Sequence, residues 1–305
     1  MHLTVAICTR NRGASIFQTL ASLAKSTYTS FDVVVIDQSS DSATTSTIAA
    51  FQAQSPYVLR YVKSSTIGLS AARNIAIQAT DAPLIAFTDD DCTVDSHWLE
   101  AIVCHFTGDS SLAQICGEVR PGPHDPQTGF IPCYHIPRPL VIHSPWTKWR
   151  EGGIGANLSF RTDILKTIGG FDEALGAGSR LRNCEDGDMT YRILRAGYRV
   201  LNAPDVIVTH HGFRSWSEGQ KLMRWTGYGV GAAYAKHLHC RDLAVLPTLL
   251  LEAERCIDWP RLLTFRRHSG LARFAFYCWG MWAGFHQPVD CQRRLYAITA
   301  QQKYQ

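Results

Sequence analysis

The stretch from residue 84 to residue 91 constrains the fold of this chain most, because five uncharged residues, LIAFT, run directly into Asp89, Asp90 and Asp91. The apolar run predicts a strand buried on both faces. Side chains alternate along a strand, so Asp89 and Asp91 point the same way. Two aligned carboxylates at the carboxyl end of a strand predict a site for Mg or Mn, since something must offset their repulsion. The alternative is a solvated acidic turn.

Length and charge limit the class of protein. The 305 residues suffice for one large α/β domain with or without an extension, and 46% hydrophobic residues are enough for a core. A net charge of +4 is too small to indicate a nucleic-acid partner. The charge is unevenly distributed: residues 1–209 hold 17 basic and 20 acidic side chains, whereas residues 210–305 hold 13 and 6. The acidic first part and the basic tail therefore need separate explanations.

The cysteines and the N-terminus bear on the compartment. The ten cysteines are scattered without a C-x-x-C pair, which argues against a zinc module and against a disulfide framework. Free thiols fit a reducing compartment. The N-terminus lacks the basic and apolar regions of a signal peptide, and no stretch of about 18 apolar residues predicts a membrane span. We expect a soluble cytoplasmic protein.

Strands and helices alternate through the first part of the chain. Apolar runs at 3–8, 31–36, 58–62 and 84–88 are separated by helical patterns, which predicts βαβ units and a largely parallel sheet. Residues 121–149 have weak periodicity and predict a long loop, followed by a helix at 187–196 and short strands at 198–201 and 206–209. Beyond about residue 214 the pattern is helical, at 218–239, 243–257 and 269–285.

Four polar positions lie at strand ends or in the loops that follow: Thr9, Asp37, the Asp89–Asp91 cluster and His210. The first three follow strands of a parallel sheet, so one ligand at its carboxyl edge could contact all of them. Each position alone is weak evidence for a ligand site, since an Asp at a strand end usually caps the next helix. Neither G-x-G-x-x-G nor a P-loop motif is present, so nicotinamide and P-loop chemistry are poorly supported.

The chain resembles the family 2 glycosyltransferases, which use nucleotide sugars and have the GT-A fold. The resemblance covers residues 1–212 and is carried by segments in the family's order: VAICTRNR (5–12), VVVIDQSSD (33–41), GLSAARNIAI (68–77), IAFTDDDC (85–92), GANLSFR (155–161), IGGFDEALG (168–176), EDGDMTYRILRAGYRV (185–200) and PDVIVTHHG (204–212). It implies a GT-A, Rossmann-like α/β fold with a mostly parallel central sheet. The expected organisation is a catalytic domain at 1–212, with a nucleotide-binding half at 1–120 and an acceptor half at 121–212, followed by a helical extension at 213–305.

The resemblance also implies a role for each matching residue. The metal, Mn or Mg, is expected on Asp91, Asp89 and His210, with His211 as an alternative to His210. Asp186 is the expected catalytic base beside Glu185, although a carboxylate there could instead stabilise the N-terminus of a helix. Contacts to the nucleotide sugar are expected from Thr9, Arg10, Asp37, Arg73, Asp89 and Asp90. The family usually has a large apolar residue before its DxD motif, where this chain has Thr88.

The acceptor side is less defined. Asn157 lies where the family holds its acceptor, and Trp146 and Trp149 could stack on a sugar or simply pack the loop. A glycan or a lipid-linked acceptor is expected. The basic, aromatic tail is either a helical lid on the catalytic domain or an interfacial helix that contacts anionic lipid through 260–285, which would place the protein at the inner face of the plasma membrane.

These observations predict an inverting, metal-dependent glycosyltransferase in polysaccharide or glycolipid assembly. A metal would neutralise the leaving diphosphate, and one carboxylate would take the acceptor proton. Two alternatives remain open. A sugar nucleotidyltransferase should carry a Gly-rich, basic loop after its first strand, and residues 9–13 contain one glycine. A non-catalytic glycan- or nucleotide-sugar-binding protein on the same fold would bind donor without turnover.

Overall fold

The structure is a computed structural model, and it describes residues 1–150, 153–257 and 269–297. Its strands in these ranges are β1 (Leu3–Thr9), β2 (Phe31–Asp37), β3 (Val58–Lys63), β4 (Leu84–Asp89), β5 (Cys92–Val94), β6 (Leu112–Pro121), β7 (Gly129–Phe130), β8 (Leu140–Ile142), β9 (Asn157–Arg161), β10 (Arg199–His210), β11 (Arg214–Ser215), β12 (Val289–Asp290) and β13 (Leu295–Tyr296). Its α-helices there are α1 (Ile16–Leu23), α2 (Ala43–Gln52), α3 (Leu69–Gln78), α4 (Trp98–Gly108), α5 (Thr162–Thr167), α6 (Glu185–Arg195), α7 (Trp216–His239), α8 (Leu246–Ile257) and α9 (Ser269–Phe285).

A nine-stranded sheet organises the described part of the chain. Its order is β3-β2-β1-β4-β9-β6-β10-β5, and β8 pairs with β10. Strands β3, β2, β1 and β4 are parallel, as are β6 and β10, whereas β9, β5 and β8 run antiparallel to their neighbours. The predicted, mostly parallel α/β sheet is confirmed.

Strand β4 lies at the centre of this sheet and is buried on both faces, as its sequence predicts. Its residues from Leu84 to Thr88 are at most 3% exposed. Ala86 packs in the core under α1, α2 and α4, while Phe87 packs with Phe160 and Phe171 in the core under α3, α5 and α6. The alternation along β4 therefore supplies side chains to two hydrophobic layers, and the three aspartates begin at the last residue of the strand.

Several boundaries differ from the sequence expectation. The two short strands predicted at 198–201 and 206–209 form the single strand β10, whose register against β6 shifts between Ala203 and Ile207. The predicted loop at 121–149 contains β7, β8 and a 3₁₀ helix at Pro145–Arg150. Helix α6 begins at Glu185, two residues before its predicted start.

The helical tail packs on the rest of the molecule. A third core joins Leu175, Leu181 and Tyr191 to Tyr234 of α7 and Tyr277 of α9. Two glycines allow α7 and α9 to approach closely: a Cβ at position 231 or 280 would collide with the backbone oxygen of the facing helix. In the described ranges no helix is long and apolar enough to cross a membrane.

The expectation of free thiols fails for one pair of cysteines. Cys240, after α7, forms a disulfide with Cys291 in the β12–β13 hairpin, and the other eight cysteines are free. The two partners are 51 residues apart, so no local spacing signals the pairing. The hairpin is thereby attached to the end of α7.

Candidate active site

The parallel register brings the predicted donor residues to one edge of the sheet. Thr9 at the end of β1 lies opposite Asp37 at the end of β2, and Cys8 lies opposite Asp89. The hydroxyl of Thr9 donates to Oδ2 of Asp90 at 2.6 Å. Burial is the main reason that the pKa of Asp90 is raised to about 6, and the Thr9 hydrogen bond opposes this shift.

Asp37 is fully buried and is held by three donors at the same edge. It accepts from the backbone N–H of Ser39 at 2.8 Å, from the hydroxyl of Tyr61 at 2.7 Å and from Nζ of Lys63 at 2.9 Å. Burial alone would raise its pKa, but the hydrogen bonds from Ser39, Lys63 and Tyr61 lower it below the usual range. Asp37 is therefore a fixed anion beside the start of α2.

The predicted metal ligands converge. Ligand atoms of Asp89, Asp91, Cys92 and His210 all lie within 4.8 Å of one another. The antiparallel pairing of β10 with β5 places His210 opposite Cys92, which explains how a residue more than a hundred positions away reaches the cluster. Nε2 of His211 instead lies 2.9 Å from the hydroxyl of Thr93, so only the first histidine of the pair faces the aspartates.

The donor set fits a divalent metal. Nδ1 of His210 lies 2.8 Å from the carbonyl oxygen of Pro132, which can only accept, so Nδ1 carries a proton. Nε2 lies 3.2 Å from Oδ1 of Asp91 and can bind a metal once it is deprotonated. Oδ1 of Asp91 accepts no hydrogen bond among the described residues. Two carboxylates with an imidazole suit Mn or Mg. Burial raises the pKa of the Cys92 thiol well above its usual value, and a soft sulfur ligand suits Mn or Mg less well than oxygen does.

Arg12 was not anticipated at this site. Its Nη1 lies 3.0 Å from Oδ1 of Asp90 and 2.7 Å from Oδ2 of Asp91, while its side chain is 39% exposed. The signal in the sequence was the Arg-rich turn after β1, but the predicted donor contact was assigned to Arg10, whose side chain is exposed. Asn11 between them has a φ of 56°, which turns the loop so that the two arginines take different directions.

The side chain of Arg73 is buried. It is 2% exposed, Nη1 donates to Oε1 of Glu185 at 2.9 Å, and Nη2 donates to the carbonyl oxygen of Gly155 at 3.0 Å. The charge of Asp89 also acts on it. Arg73 thus links the metal side of the site to the acidic pair of α6, and its expected contact with the nucleotide stays a prediction.

The acidic pair occupies the first turn of α6, and its members differ in accessibility. Glu185 is 5% exposed, and its pKa is raised to about 7 by burial and by the charge of Asp186, against the opposing effect of Arg73. Asp186 is half-buried, and its Oδ1 accepts from the backbone N–H of Gly187 at 2.7 Å. Asp186 is therefore the more accessible of the two carboxylates.

The expected acceptor residues separate. Asn157 is fully buried: its Nδ2 donates to the carbonyl oxygens of Glu118 and Val206, and its Oδ1 accepts from the indole N–H of Trp98. The expectation that Asn157 faces an acceptor is therefore corrected, because this side chain joins strands inside the sheet. Trp146 and Trp149 lie on the 3₁₀ helix and are 53% and 36% exposed, so both rings are open to solvent.

Sequence comparisons agree with this geometry. Residues 4–139 match the family model for glycosyl transferase family 2. A pre-mycofactocin glycosyltransferase of Mycobacterium tuberculosis is 27% identical over 177 residues, which cover 54% of this chain and 34% of that protein. This chain therefore spans about a third of that relative. The succinoglycan biosynthesis protein ExoM of Rhizobium meliloti is 24% identical over 272 residues, covering 81% of this chain and 85% of ExoM.

Structural comparisons support the fold. The mannosyltransferase PcManGT from Pyrobaculum calidifontis, solved with GDP-Man and Mn²⁺, has a TM-score of 0.62 at 16% identity, covering 93% of this chain and 86% of PcManGT. Residues 1–349 of TarS from S. aureus give a TM-score of 0.55 at 19% identity, covering 75% of this chain and 65% of that one. The fold of this chain is therefore of the GT-A type. Within this fold class, residues 4–139 are similar to glycosyl transferase family 2.

Proposed function

We propose that this chain transfers a sugar from a nucleoside-diphosphate donor to an acceptor hydroxyl with inversion at the anomeric carbon. One observation carries the proposal. The oxygen and imidazole donors of Asp89, Asp91 and His210 converge at the sheet edge that holds Thr9 and Asp37. The side chains proposed to bind a cation and those proposed to contact the nucleotide thus lie at the same edge, which is the edge where open α/β sheets bind ligands.

The donor half of the proposed site is assigned to β1, β2 and β4. Asp37 is a buried anion that can accept from hydroxyl or N–H groups of a nucleoside, and the loop that carries Arg10 and Arg12 follows Thr9, which lies opposite Asp37. A divalent cation held by Asp89, Asp91 and His210 would neutralise charge on the departing diphosphate. Arg12 can add a second positive charge, because its partly exposed guanidinium lies on Asp90 and Asp91 at the same place.

The acceptor half is assigned to the start of α6. Asp186 is the proposed base: it takes the proton of the acceptor hydroxyl while that oxygen bonds to the anomeric carbon and the bond to the diphosphate oxygen breaks. A single displacement of this kind needs no enzyme nucleophile and inverts the anomeric centre. Glu185 is assigned to hold Asp186 and Arg73 in place, since its own oxygen is already paired with Arg73.

Donor and pathway remain proposals. PcManGT was solved with GDP-Man and Mn²⁺, and TarS was solved with UDP, which supports a nucleotide-sugar donor and Mn or Mg here. The name of ExoM supports a place in polysaccharide assembly, with a glycan or a lipid-linked acceptor. Trp146 and Trp149 are the proposed acceptor platform, because they are exposed on the 3₁₀ helix that packs against α6 and α8.

A peripheral membrane contact is proposed for α9. Leu271, Trp279, Trp282 and Phe285 are 46% to 62% exposed and recur at helical spacing, so they lie on one face of the helix. An exposed aromatic face on a basic segment fits anionic lipid. Of the predicted contact segment 260–285, residues 260–268 lie outside the described residues. Sedimentation with anionic vesicles at low salt should be lost in a double Trp279→Ser, Trp282→Ser variant and kept in Trp146→Ser; no sedimentation of the intact protein would remove this proposal.

The decisive experiment follows nucleoside-diphosphate release over a panel of nucleotide sugars with Mn, with Mg and with EDTA. Metal-dependent release with one donor, lost in both Asp91→Asn and Asp186→Asn, would support transfer and identify the sugar. Release that persists in EDTA would remove the metal role of Asp89 and Asp91. Tight donor binding without release across a wide acceptor panel would instead support a binding protein.

A further inference from the structure

A cluster of buried ions lies below the acidic pair of α6. It consists of Asp172, Asp188, Arg192, Lys236 and His237, each at most 3% exposed, and is called here the Lys236 cluster. Nζ of Lys236 lies 2.6 Å from Oδ2 of Asp172 and 2.7 Å from Oδ1 of Asp188. Nε of Arg192 lies 2.9 Å from the other oxygen of Asp188. The ammonium group of Lys236, on α7, thus bridges two carboxylates that come earlier in the chain.

The charges within this cluster balance. Burial opposes ionisation of Asp188, but Lys236, Arg192 and His237 hold its pKa well below the usual range. Burial lowers the pKa of His237 to about 4 despite its contact with Asp188, so this imidazole is neutral near pH 7. Two carboxylates are therefore matched by two cations, and removing one partner would leave an uncompensated buried charge.

Both carboxylates belong to elements that border the proposed active site. Asp188 lies two residues after Asp186, within the first turn of α6. Asp172 follows Phe171, whose ring centre is 5.1 Å from the guanidinium carbon of Arg73, and Arg73 is the ion-pair partner of Glu185. Lys236 therefore joins the helix that carries the acidic pair to the loop that supports Arg73.

We propose that Lys236 is a positioning residue for the catalytic reaction. It sets the orientation of the first turn of α6, and with it Asp186, relative to the loop at residues 168–172. The cluster is extended by Arg192, which donates to the carbonyl oxygens of Ile168 and Gly170, so the same loop is held from two sides. The kinetic part of this inference depends on the proposed function, whereas its structural part does not.

Three variants of the full chain test the proposal. Lys236→Met removes the ammonium group at similar volume and is expected to destabilise the protein. The double variant Lys236→Met, Asp172→Asn removes one charge of each sign, so it is expected to recover thermal stability. Asp242→Asn is the matched control: Asp242 is also buried, pairs with Arg195 and Arg294 at 2.8 Å each, and lies at the opposite end of α6.

The expected result is a separation of stability from turnover. In the charge-balanced double variant, Tm recovers toward the wild type, but kcat stays about 10- to 100-fold lower with little change in donor KM, since a small displacement of a base has effects of this size. Asp242→Asn, studied well below its Tm, keeps kcat within about twofold. Recovery of kcat together with Tm would overturn the proposal and leave Lys236 a purely structural residue.

Amide hydrogen exchange supplies a readout without turnover. The double variant should exchange faster at residues 184–190 than the wild type, while β2 at residues 31–37 and the Asp242→Asn control should be unchanged there. Unaltered exchange at 184–190 would overturn the proposal even if no donor is turned over. Absence of turnover in the wild type would instead count against the proposed function alone.

Discussion

The molecule contains two carboxylate clusters that differ in how their charge is compensated. In the first cluster, formed by Asp89, Asp90 and Asp91, Arg12 pairs with Asp90 and Asp91, and this guanidinium is 39% exposed. In the Lys236 cluster, Asp172 and Asp188 are paired with Lys236 and Arg192, both 3% exposed or less. The first cluster has an excess of negative charge at an accessible edge, whereas the second is neutral and closed.

This difference separates a site that binds from a site that holds the fold. A cluster with unmatched carboxylates is destabilised by its own repulsion, so added cations stabilise it, and the fold tolerates loss of a charge. A buried cluster with balanced charges is not stabilised by an added ion. Loss of one charge leaves its partner unpaired in the protein interior, which lowers the free energy of unfolding. The same Asp→Asn substitution should therefore have different consequences in the two places.

The largest effect is expected on turnover in Asp91→Asn. Release of nucleoside diphosphate should fall by at least about 10³-fold, because one carboxylate of the proposed metal site is lost. The free energy of unfolding should fall by about 1 kcal/mol or less, because the ion pair that is lost involves the partly exposed guanidinium of Arg12, which water screens. Asp81→Asn, whose side chain is fully exposed, is the control and should leave both quantities unchanged. A strong loss of stability in Asp91→Asn would erase the distinction between the clusters.

Asp188→Asn should show the reverse pattern. Its loss leaves Lys236 and Arg192 with one buried carboxylate between them, so we expect the free energy of unfolding to fall by about 3–5 kcal/mol. Denaturant unfolding measures this, with Asp242→Asn as a second buried carboxylate for comparison. Metal added without donor should not restore the stability. If the variant unfolds at the same denaturant concentration as the wild type, the cluster does not hold α7 on the fold in the way the distances suggest.

The sequence was sufficient for those parts of the site that follow from strand ends. Parallel strands end at one edge, so Thr9, Asp37 and the three aspartates could be brought together from local patterns alone, and their pairing confirms that edge. The place of His210 beside the aspartates could be predicted only from the resemblance to a family, since it depends on the antiparallel pairing of β10 with β5. The division of the chain at residue 212 stays a prediction, and the buried contacts of α7 indicate that the two parts fold together.

The remaining features depend on long-range pairing that leaves no local pattern. Glu185 is 112 residues from Arg73, and Lys236 is 64 residues from Asp172. The local sequence around Glu185 or Lys236 does not indicate whether the charged side chain will contact solvent, a ligand or a buried partner. Asn157 illustrates the same limit: an amide at the end of a loop suggests a ligand, yet its three hydrogen bonds go to Trp98, Glu118 and Val206.

Glu185 provides an intermediate case, because it is buried but only partly compensated. Its pKa is raised from 4.5 to about 7, chiefly by burial, so the folded state binds more protons than the unfolded state between these values. The free energy of unfolding should therefore decrease as pH rises from about 4.5 to 7, by up to roughly 3 kcal/mol from this group. Denaturant unfolding of wild type and Glu185→Gln at several pH values should show a difference that depends on pH across this window. A constant difference would contradict the raised pKa.

The smallest effect is expected when the charge imbalance of the first cluster is increased. Arg12→Ala removes the cation that lies on Asp90 and Asp91, so a divalent metal no longer competes with it and should bind about three- to tenfold more tightly. The gain is limited because the exposed guanidinium is screened by water and salt. Titration of donor-free protein with Mn²⁺, followed by the rise in Tm, measures the change, and Arg10→Ala is the matched control. Weaker metal binding in Arg12→Ala would mean that Arg12 organises the aspartates rather than competing for them, and the first cluster would then be partly preformed like the second.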